Sequence, residues 1–234
     1  MRGNGYIGEL DKSAALIFDL DGTLVDTAPD LISCVDELLG ENNRSPIAPQ
    51  LLRSSVSHGA HAMICQAFSL SPDDPFSWTL EAELVRRYRQ RIAEHSRLFP
   101  GMEKVLATAE AAAIPWGVVT NKPGALTNLL LERLGLTGRA GAVVSGDTLE
   151  RAKPDPLPMH FAAQTLGHPI GNCLAIGDAR RDTEAALGAG AKSLVALFGY
   201  LSAGDRPTHW GAHALISQPE EILHWLTINQ HQSS

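Results

Sequence analysis

Short apolar runs alternate with helical segments along most of this chain. Predicted strands span residues 14–18, 114–120, 142–145, 173–176 and 193–197. Helices are predicted over residues 103–113, 124–134, 157–166 and 182–187. Strands that alternate with helices are joined by right-handed crossovers and pair in parallel. The pattern therefore predicts an α/β fold, a Rossmann-like parallel sheet with helices on both faces.

The stretch between residues 26 and 98 has a different pattern. It contains no convincing strand, and it is separated into segments by proline- and glycine-containing breaks. The helices predicted there span residues 30–39, 50–57, 60–68 and 77–92. A chain that leaves a sheet and returns to it places the inserted helices over the strand ends. We therefore predict an α/β core of residues 1–25 and 98–234 and an inserted helical cap of residues 26–97.

Composition narrows the class of protein. Hydrophobic residues make up 44% of the 234 residues and charged residues 19%, which is typical of a globular protein with a sizeable core. The net charge of −7 argues against a nucleic-acid partner. No stretch approaches the ~20 apolar residues of a membrane span, and the N-terminus lacks the apolar segment of a signal peptide. Three scattered cysteines suggest free thiols, so we expect a cytoplasmic protein without a membrane partner.

The first predicted strand ends in two aspartates. Asp19 and Asp21 flank Leu20 and precede Gly22, which permits the chain to turn. Carboxylates at the end of a buried strand are costly unless a metal ion or another partner offsets their charge. A turn at Gly22 can direct both into one pocket, which suits a nucleophile beside an acid/base with a divalent cation between them. The alternative is an ordinary Asp-Gly turn.

Three further groups of polar residues follow predicted strands. Thr120 and Asn121 end one strand, Lys153 lies in the loop after the next, and Asp178 and Asp182 follow a third. Taken singly, they could be a helix cap, a surface lysine and turn residues. Ligands of open parallel sheets bind at the carboxyl ends of the strands. We therefore expect these side chains to converge there, with the Thr120 region forming a phosphate-binding corner.

In this order, the four groups resemble the four motifs of the haloacid dehalogenase superfamily of phosphatases, and no catalytic position is missing. That superfamily places a helical cap where the helical insert stands here. The resemblance implies that Asp19 attacks phosphorus and forms an aspartyl-phosphate, and that Asp21 serves as acid and base. It also implies that Thr120 and Lys153 hold the transferring oxygens, with Asn121 as a further substrate-binding residue.

The resemblance also implies one Mg²⁺ cofactor. Its protein ligands would be Asp19, the backbone carbonyl of Asp21, and Asp178. Asp182 would complete the metal site as an acceptor behind these ligands. A sparse oxygen shell, completed by waters and the substrate phosphate, suits Mg²⁺.

The expected partner is a small phosphorylated metabolite. Helical-cap members of the superfamily include phosphoglycolate phosphatases, sugar-phosphate phosphatases and β-phosphoglucomutases, and their specificity comes from cap residues. In segment 57–61, His58 and Gly59 are candidate substrate-binding residues, through hydrogen bonds and close approach respectively. The alternative for this segment is a helix start with two exposed histidines.

Several stretches resemble the group of N-acetylmuramic acid 6-phosphate phosphatases, although that group often has glycine at the position of His58. They are residues 56–63, 95–102, 116–123 and 208–212. The resemblance favours N-acetylmuramic acid 6-phosphate as substrate, with phosphoglycolate as the alternative. A β-phosphoglucomutase-like phosphomutase shares all four motifs, and a catalytically silent regulator on the same fold is the alternative from a different class. Monomer and homodimer are both left open.

Overall fold

A parallel six-stranded sheet forms the centre of the molecule, whose computed structural model describes residues 14–226. The strands are β1 (Ala15–Phe18), β2 (Val25–Asp26), β3 (Arg97–Leu98), β4 (Trp116–Val119), β5 (Ala142–Val144), β6 (Cys173–Gly177), β7 (Lys192–Ala196) and β8 (Ala214–Ile216). The sheet order is β5-β4-β1-β6-β7-β8, and all neighbouring pairs are parallel. The predicted α/β fold with a parallel sheet is confirmed.

Helices precede or follow the strands at the predicted places, with ends within two residues of the prediction. They are α1 (Ala28–Glu41), α2 (Pro49–Val56), α3 (Ala60–Phe68), α4 (Pro75–Arg91), α5 (Met102–Ala111), α6 (Gly124–Arg133), α7 (Leu157–Thr165) and α8 (Arg180–Ala189). Within the described part of the chain, none of the helices has the length and apolarity needed to span a membrane.

Strand β1 divides its side chains between two cores. Leu16 and Phe18 belong to the buried cluster that includes α5 and α6. Ala15 and Ile17 belong to the cluster that includes α7 and α8, on the other face of the sheet. Burial of a large apolar side chain contributes about 1.5–3 kcal/mol. Because β1 is packed on both faces, its carboxyl end, and Asp19 directly after it, are held in place.

The four helices α1 to α4 pack against one another between β2 and β3. Proline stands in the first turn of α1, α2 and α4, where a missing N–H costs nothing. Asp74 caps α4, since its Oδ1 accepts the N–H of Phe76 at 2.9 Å. The division into a core and a cap stays a prediction, and residues 1–13 and 227–234 of the predicted core lie outside the described residues.

Two short strands stand at the ends of this insert. β2 and β3 pair antiparallel, with Val25 opposite Leu98 and Asp26 opposite Arg97. The expectation that no strand lies between residues 26 and 98 is therefore wrong at its two ends. Two-residue strands are too short to show an alternating pattern, so only their tertiary pairing reveals them. The three-residue edge strand β8 is likewise missing from the predicted set.

Tyr200, in the loop after β7, fixes the start of α1 beside this ribbon. Its phenol oxygen accepts the N–H groups of Thr27 (2.6 Å) and Ala28 (2.9 Å) and donates to Asp26 Oδ1 (2.7 Å). Since the first N–H groups of a helix lack partners within it, the phenol replaces a capping side chain. Arg53 of α2 lies over the Tyr200 ring at 4.8 Å and pairs with Asp26 Oδ2 at 2.8 Å. Tyr200 therefore connects the loop after β7 to the start of α1 and to α2.

Candidate active site

Three buried polar residues stand at the carboxyl edge of the sheet. Asp19 follows β1, Thr120 follows β4 and Asp178 follows β6, and each is at most 5% exposed. Since β1 pairs with both other strands, the three residues are neighbours. Lys153, in the loop after β5, and Asp182, in the first turn of α8, are buried beside them. The expected convergence of these five residues is observed.

Lys153 is the cation of this cluster. Its Nζ lies 2.7 Å from Asp19 Oδ1, 2.7 Å from Asp182 Oδ1 and 2.6 Å from the carbonyl oxygen of Val119. Burial alone would lower the pKa of Lys153, but the carboxylates of Asp182 and Asp19 outweigh it and raise that pKa above its ordinary value. The ammonium therefore stays charged beside Asp19.

Asn121 holds the loop that carries this lysine. Its Nδ2 donates to the carbonyl oxygen of Lys153 (2.8 Å), and its Oδ1 accepts the N–H of Lys153 (3.1 Å). Both ends of the amide are thus used within the protein, so Asn121 is a positioning residue here, and its contact with substrate stays a prediction. The neighbouring Thr120 accepts the N–H of Lys122 at its hydroxyl oxygen (3.1 Å), which leaves the hydroxyl proton for a ligand.

Three carboxylates meet beside the lysine. Asp19, Asp178 and Asp182 each offer one oxygen, and these oxygens lie within 4.8 Å of one another. Burial raises the pKa of Asp19 to about 6. Burial, together with the charges of Asp19 and Asp182, raises the pKa of Asp178 to about 8. Burial is the main cause of both shifts and the neighbouring carboxylates add to it, and a divalent cation would stabilise the charged forms.

Only one of the two carboxylate oxygens of Asp178 accepts hydrogen bonds from the described residues. Its Oδ2 accepts the N–H of Tyr200 (2.7 Å) and the hydroxyl of Ser57 (3.1 Å). Its Oδ1 is buried and has no hydrogen-bond partner in residues 14–226. Gly22 has φ +90°, and a Cβ there would collide with the same carboxylate, so only glycine fits at this turn. An unpartnered oxygen in such a cradle fits an oxygen-seeking ion such as Mg²⁺.

Asp182 and Asp21 are the remaining residues predicted at the metal site. Asp182 Oδ2 accepts the N–H of Ala179 at 2.9 Å while Oδ1 faces Lys153, which fits its predicted place behind the ligands. Asp21 is not part of the carboxylate cluster. Its Oδ1 accepts from the hydroxyl of Thr27 (2.6 Å) and from Lys122 Nζ (2.9 Å). The side chain of Asp21 is therefore directed to other partners, and metal binding by its backbone carbonyl stays a prediction.

A cavity of about 540 Å³ lies against Asp19, between the sheet edge and the insert. Thr120 and Asp21 border it on the side of the sheet. Helices α1, α2, α4 and α6 supply a largely apolar wall, formed by Leu31, Val56, Leu84, Val85, Tyr88 and Leu126. Lys122, Arg89 and Arg181 add positive charge to the lining. The site can thus hold an anionic substrate with a sizeable, partly apolar body.

Comparison with known proteins agrees with this geometry. The family model of the haloacid dehalogenase-like hydrolases matches residues 16–196, which include all but the first residue of β1, the insert, and Thr120, Lys153 and Asp178. The chain belongs to this family. A crystal structure of a predicted phosphoglycolate phosphatase from Haemophilus somnus shares the fold, with a TM-score of 0.80 at 23% identity over 93% of this chain and 99% of that one.

Two relatives in the family are phosphatases by name. The N-acetylmuramic acid 6-phosphate phosphatase of Pseudomonas aeruginosa is 40% identical over 209 residues, which cover 89% of this chain and 92% of that protein. A phosphoglycolate phosphatase of Xylella fastidiosa is 41% identical over 204 residues, which cover 87% and 89%. This haloacid dehalogenase-like hydrolase is therefore a phosphatase, and the two relatives differ in the substrate that they are named for.

Segment 57–61 of this hydrolase borders the cavity only in part. His58 and Gly59 line it together with Ser57 and Ala60, and substrate binding by His58 stays a prediction. Gly59 has φ +92°, and a Cβ there would meet no other protein atom within 4 Å, so the backbone conformation explains this glycine, and close approach to substrate stays a prediction. His61 faces away from the cavity: its Nε2 lies 2.9 Å from the Ser77 hydroxyl and its ring stacks on Trp78 at 3.8 Å.

Sequence reasoning gave no role at the site to Tyr88, Lys122 and Arg181. It included Ser57 in segment 57–61 but did not predict its contact with Asp178. Lys122 had a visible signal, since it follows Thr120 and Asn121 in the same turn. Tyr88 had a weaker one, its place one helical turn after Leu84. The contact of Ser57 with Asp178 joins the insert to the sheet and leaves no trace in local sequence.

Proposed function

We propose that this phosphatase removes the 6-phosphate of N-acetylmuramic acid in a Mg²⁺-dependent reaction, which would serve the recycling of a cell-wall amino sugar. The observation that carries the proposal is the cavity of about 540 Å³ beside Asp19. Sites for small organic ligands commonly enclose about 300–1,000 Å³. An amino sugar with acetamido and lactyl groups suits this space, whereas the two-carbon phosphoglycolate would leave most of it to water. Apolar wall residues suit the methyl groups and the C–H face of the sugar.

The chemistry follows from the sheet edge. In the first step Asp19 attacks phosphorus; an Asp19 Oδ–P bond forms, the bond from phosphorus to the sugar oxygen breaks, and Asp21 gives its proton to that oxygen. In the second step water attacks the same phosphorus, Asp21 takes the proton of the water, and the bond to Asp19 breaks to release phosphate. Thr27 and Lys122 hold the Asp21 carboxylate in position for both transfers.

The negative charge on the transferring phosphoryl group must be stabilised by cations and hydrogen-bond donors that are held in place. The ammonium of Lys153, beside Asp19, and the buried hydroxyl of Thr120 would bind the phosphoryl oxygens. Mg²⁺, held by Asp19, Asp178 and the carbonyl of Asp21, would supply Lewis-acid neutralisation of the phosphate charge. Asp182 keeps Lys153 and the start of α8 in place for these ligands.

Phosphoglycolate is the second candidate substrate, because relatives named for it are as similar to this chain as the one named for the amino sugar. Phosphoglycolate is also anionic at both ends, and the cavity lining includes cations that would accept it. A phosphomutase shares the same four motifs and would require a bisphosphate activator. A silent regulator is disfavoured, since every motif residue is present at the site.

The deciding experiment compares kcat/KM with Mg²⁺ for N-acetylmuramic acid 6-phosphate, phosphoglycolate and glucose 6-phosphate. We expect the amino sugar to lead, and the Asp19→Asn variant to release no phosphate from any of the three because the nucleophile is lost. If phosphoglycolate leads, the substrate assignment is wrong while the phosphatase chemistry stands. Turnover that survives in Asp19→Asn would overturn the aspartyl-phosphate mechanism.

A further inference from the structure

Within residues 14–226, Arg181 at the edge of the substrate cavity makes no hydrogen bond or ion pair, although its charge acts to lower the pKa of the nearby Asp19. It is the second residue of α8 and lies between Asp178 and the cavity wall, since it borders both the large cavity and a smaller one of about 220 Å³ next to Asp178 and Ser57. Its side chain is half-buried, and its Nε is fully buried with no hydrogen-bond acceptor in the part of the chain that the structure describes. Within that same part, no ion pair includes it.

The other cations nearby differ in this respect. Lys122 donates to Asp21 at 2.9 Å and lies over the Tyr88 ring. Arg89 lines the cavity from α4 but is exposed, so water satisfies its donors. Arg180, the neighbour of Arg181 in sequence, pairs with Glu184 at 2.7 Å on the protein surface. A guanidinium nitrogen that is withdrawn from water without an acceptor is costly, and an anionic ligand would remove that cost.

The transferring phosphate already has its partners. Lys153 and Thr120 stand on the β4 and β5 side of Asp19, and the carboxylate cluster fits a divalent cation. A second anionic group on the substrate would need a cation of its own. A guanidinium presents paired N–H donors in a plane that matches a carboxylate, which makes arginine the preferred residue for that task.

We propose that Arg181 binds a carboxylate of the substrate. On the proposed function, from which this inference starts, that group is the lactyl carboxylate of N-acetylmuramic acid 6-phosphate. Arg181 belongs to the sheet domain, so one determinant of specificity lies on α8, outside the insert. The enzyme would then distinguish a carboxylated amino-sugar phosphate from sugar phosphates that lack the carboxylate, through the same helix start that carries Asp182.

The test compares two substrates that differ by the lactyl ether alone, N-acetylmuramic acid 6-phosphate and N-acetylglucosamine 6-phosphate. In the Arg181→Gln variant we expect the ratio of their kcat/KM values to fall by about tenfold or more, mostly through KM for the carboxylated sugar, because a charged hydrogen bond is lost. Arg180→Gln is the matched control and should keep the wild-type ratio, since Arg180 faces solvent. Thermal unfolding of both variants checks that they are folded.

Two outcomes would overturn the inference. An equal loss on both substrates would mean that Arg181 acts on the phosphate or on the aspartates, and an unchanged ratio would mean that it does not contact the lactyl group. If the wild-type enzyme instead prefers phosphoglycolate, the proposed substrate fails and Arg181 is tested separately, with phosphoglycolate against ethyl phosphate. A selective loss on phosphoglycolate would still support carboxylate binding, and parallel losses would reject it.

Discussion

The sheet edge and segment 57–61 border the same cavity with very different densities of contact. At the sheet edge, Lys153 is 3% exposed and touches two carboxylates and a backbone carbonyl. In the segment, His58 is exposed, and its ring contacts the carbonyl oxygen of Ser54 at 3.2 Å. On the proposed function, the groups at the sheet edge that would perform the chemistry are thus fixed by several neighbours each. His58 is held by few, so it can be exchanged at little cost to the fold.

Lys153→Met should give the largest effect. It leaves Asp19 and Asp182 buried without their shared cation, and breaking a buried pair in this way costs about 3–5 kcal/mol. We expect that loss in the free energy of unfolding measured with urea in the presence of a chelator, together with loss of phosphatase activity. Lys104→Met, at an exposed position of α5, is the control and should change stability by about 0.5 kcal/mol or less. Wild-type stability of Lys153→Met would mean that the sheet edge is not fixed by charge.

Asp178 should give an intermediate effect with a distinctive pH dependence. In the metal-free protein its pKa is raised from 3.8 to about 8, so the folded state keeps a proton that the unfolded chain releases within this range. Unfolding free energy should therefore fall as pH rises through that window, by at most about 1.4 kcal/mol per pH unit for one group. Mg²⁺ should restore stability most strongly at the upper end.

The Asp178→Asn variant isolates this contribution. It carries no charge to desolvate, so its metal-free stability should depend less on pH and exceed that of the wild type near the upper end of the window. It should also lose activity and the stabilisation by Mg²⁺, because a ligand is gone. Urea unfolding at several pH values, with and without Mg²⁺, measures both. Parallel pH curves for the two proteins would contradict the assignment of the shift to Asp178.

His58→Ala should give the smallest effect. The side chain is exposed and has few contacts, so unfolding free energy should change by about 0.5 kcal/mol or less. The kcat/KM for the preferred sugar phosphate should fall by about tenfold at most, the value of one hydrogen bond to a ligand. A loss as large as that of Lys153→Met would place His58 among the catalytic groups and remove the contrast between the two regions.

The fold could be predicted where a strand or helix is long enough to show its own hydrophobic pattern in the sequence. The apolar runs of β1, β4, β6 and β7 and the spacing of the helices required no tertiary information. Sheet order, with β1 between β4 and β6, depends on how crossovers pack and is not written in any one segment. The pairing of β2 with β3 depends on their position between the sheet and the inserted helices. Each strand has only two residues, which is too short to show a pattern of its own.

The residues of the site likewise fall into those that the sequence predicts and those that only the folded structure reveals. Asp19, Thr120 and Asp178 were predictable because each follows a buried strand, and the ends of neighbouring parallel strands must meet. The pairing of Lys122 with Asp21 depends on side-chain directions that the chain adopts only after folding. The same is true of Ser57 and Asp178, which are 121 residues apart.

Tyr200 has a consequence for exchanging inserts between relatives. Its backbone N–H binds Asp178, while its phenol binds the first residues of α1 and its ring lies beneath Arg53. In a chimera with a foreign insert, the ring and hydroxyl of Tyr200 would therefore lose the partners that they have in the native insert. Such a chimera would have to bring its own equivalents of Asp26 and Arg53, or accept a changed Tyr200. Exchange of the insert between relatives is thus restricted to inserts that provide partners for Tyr200.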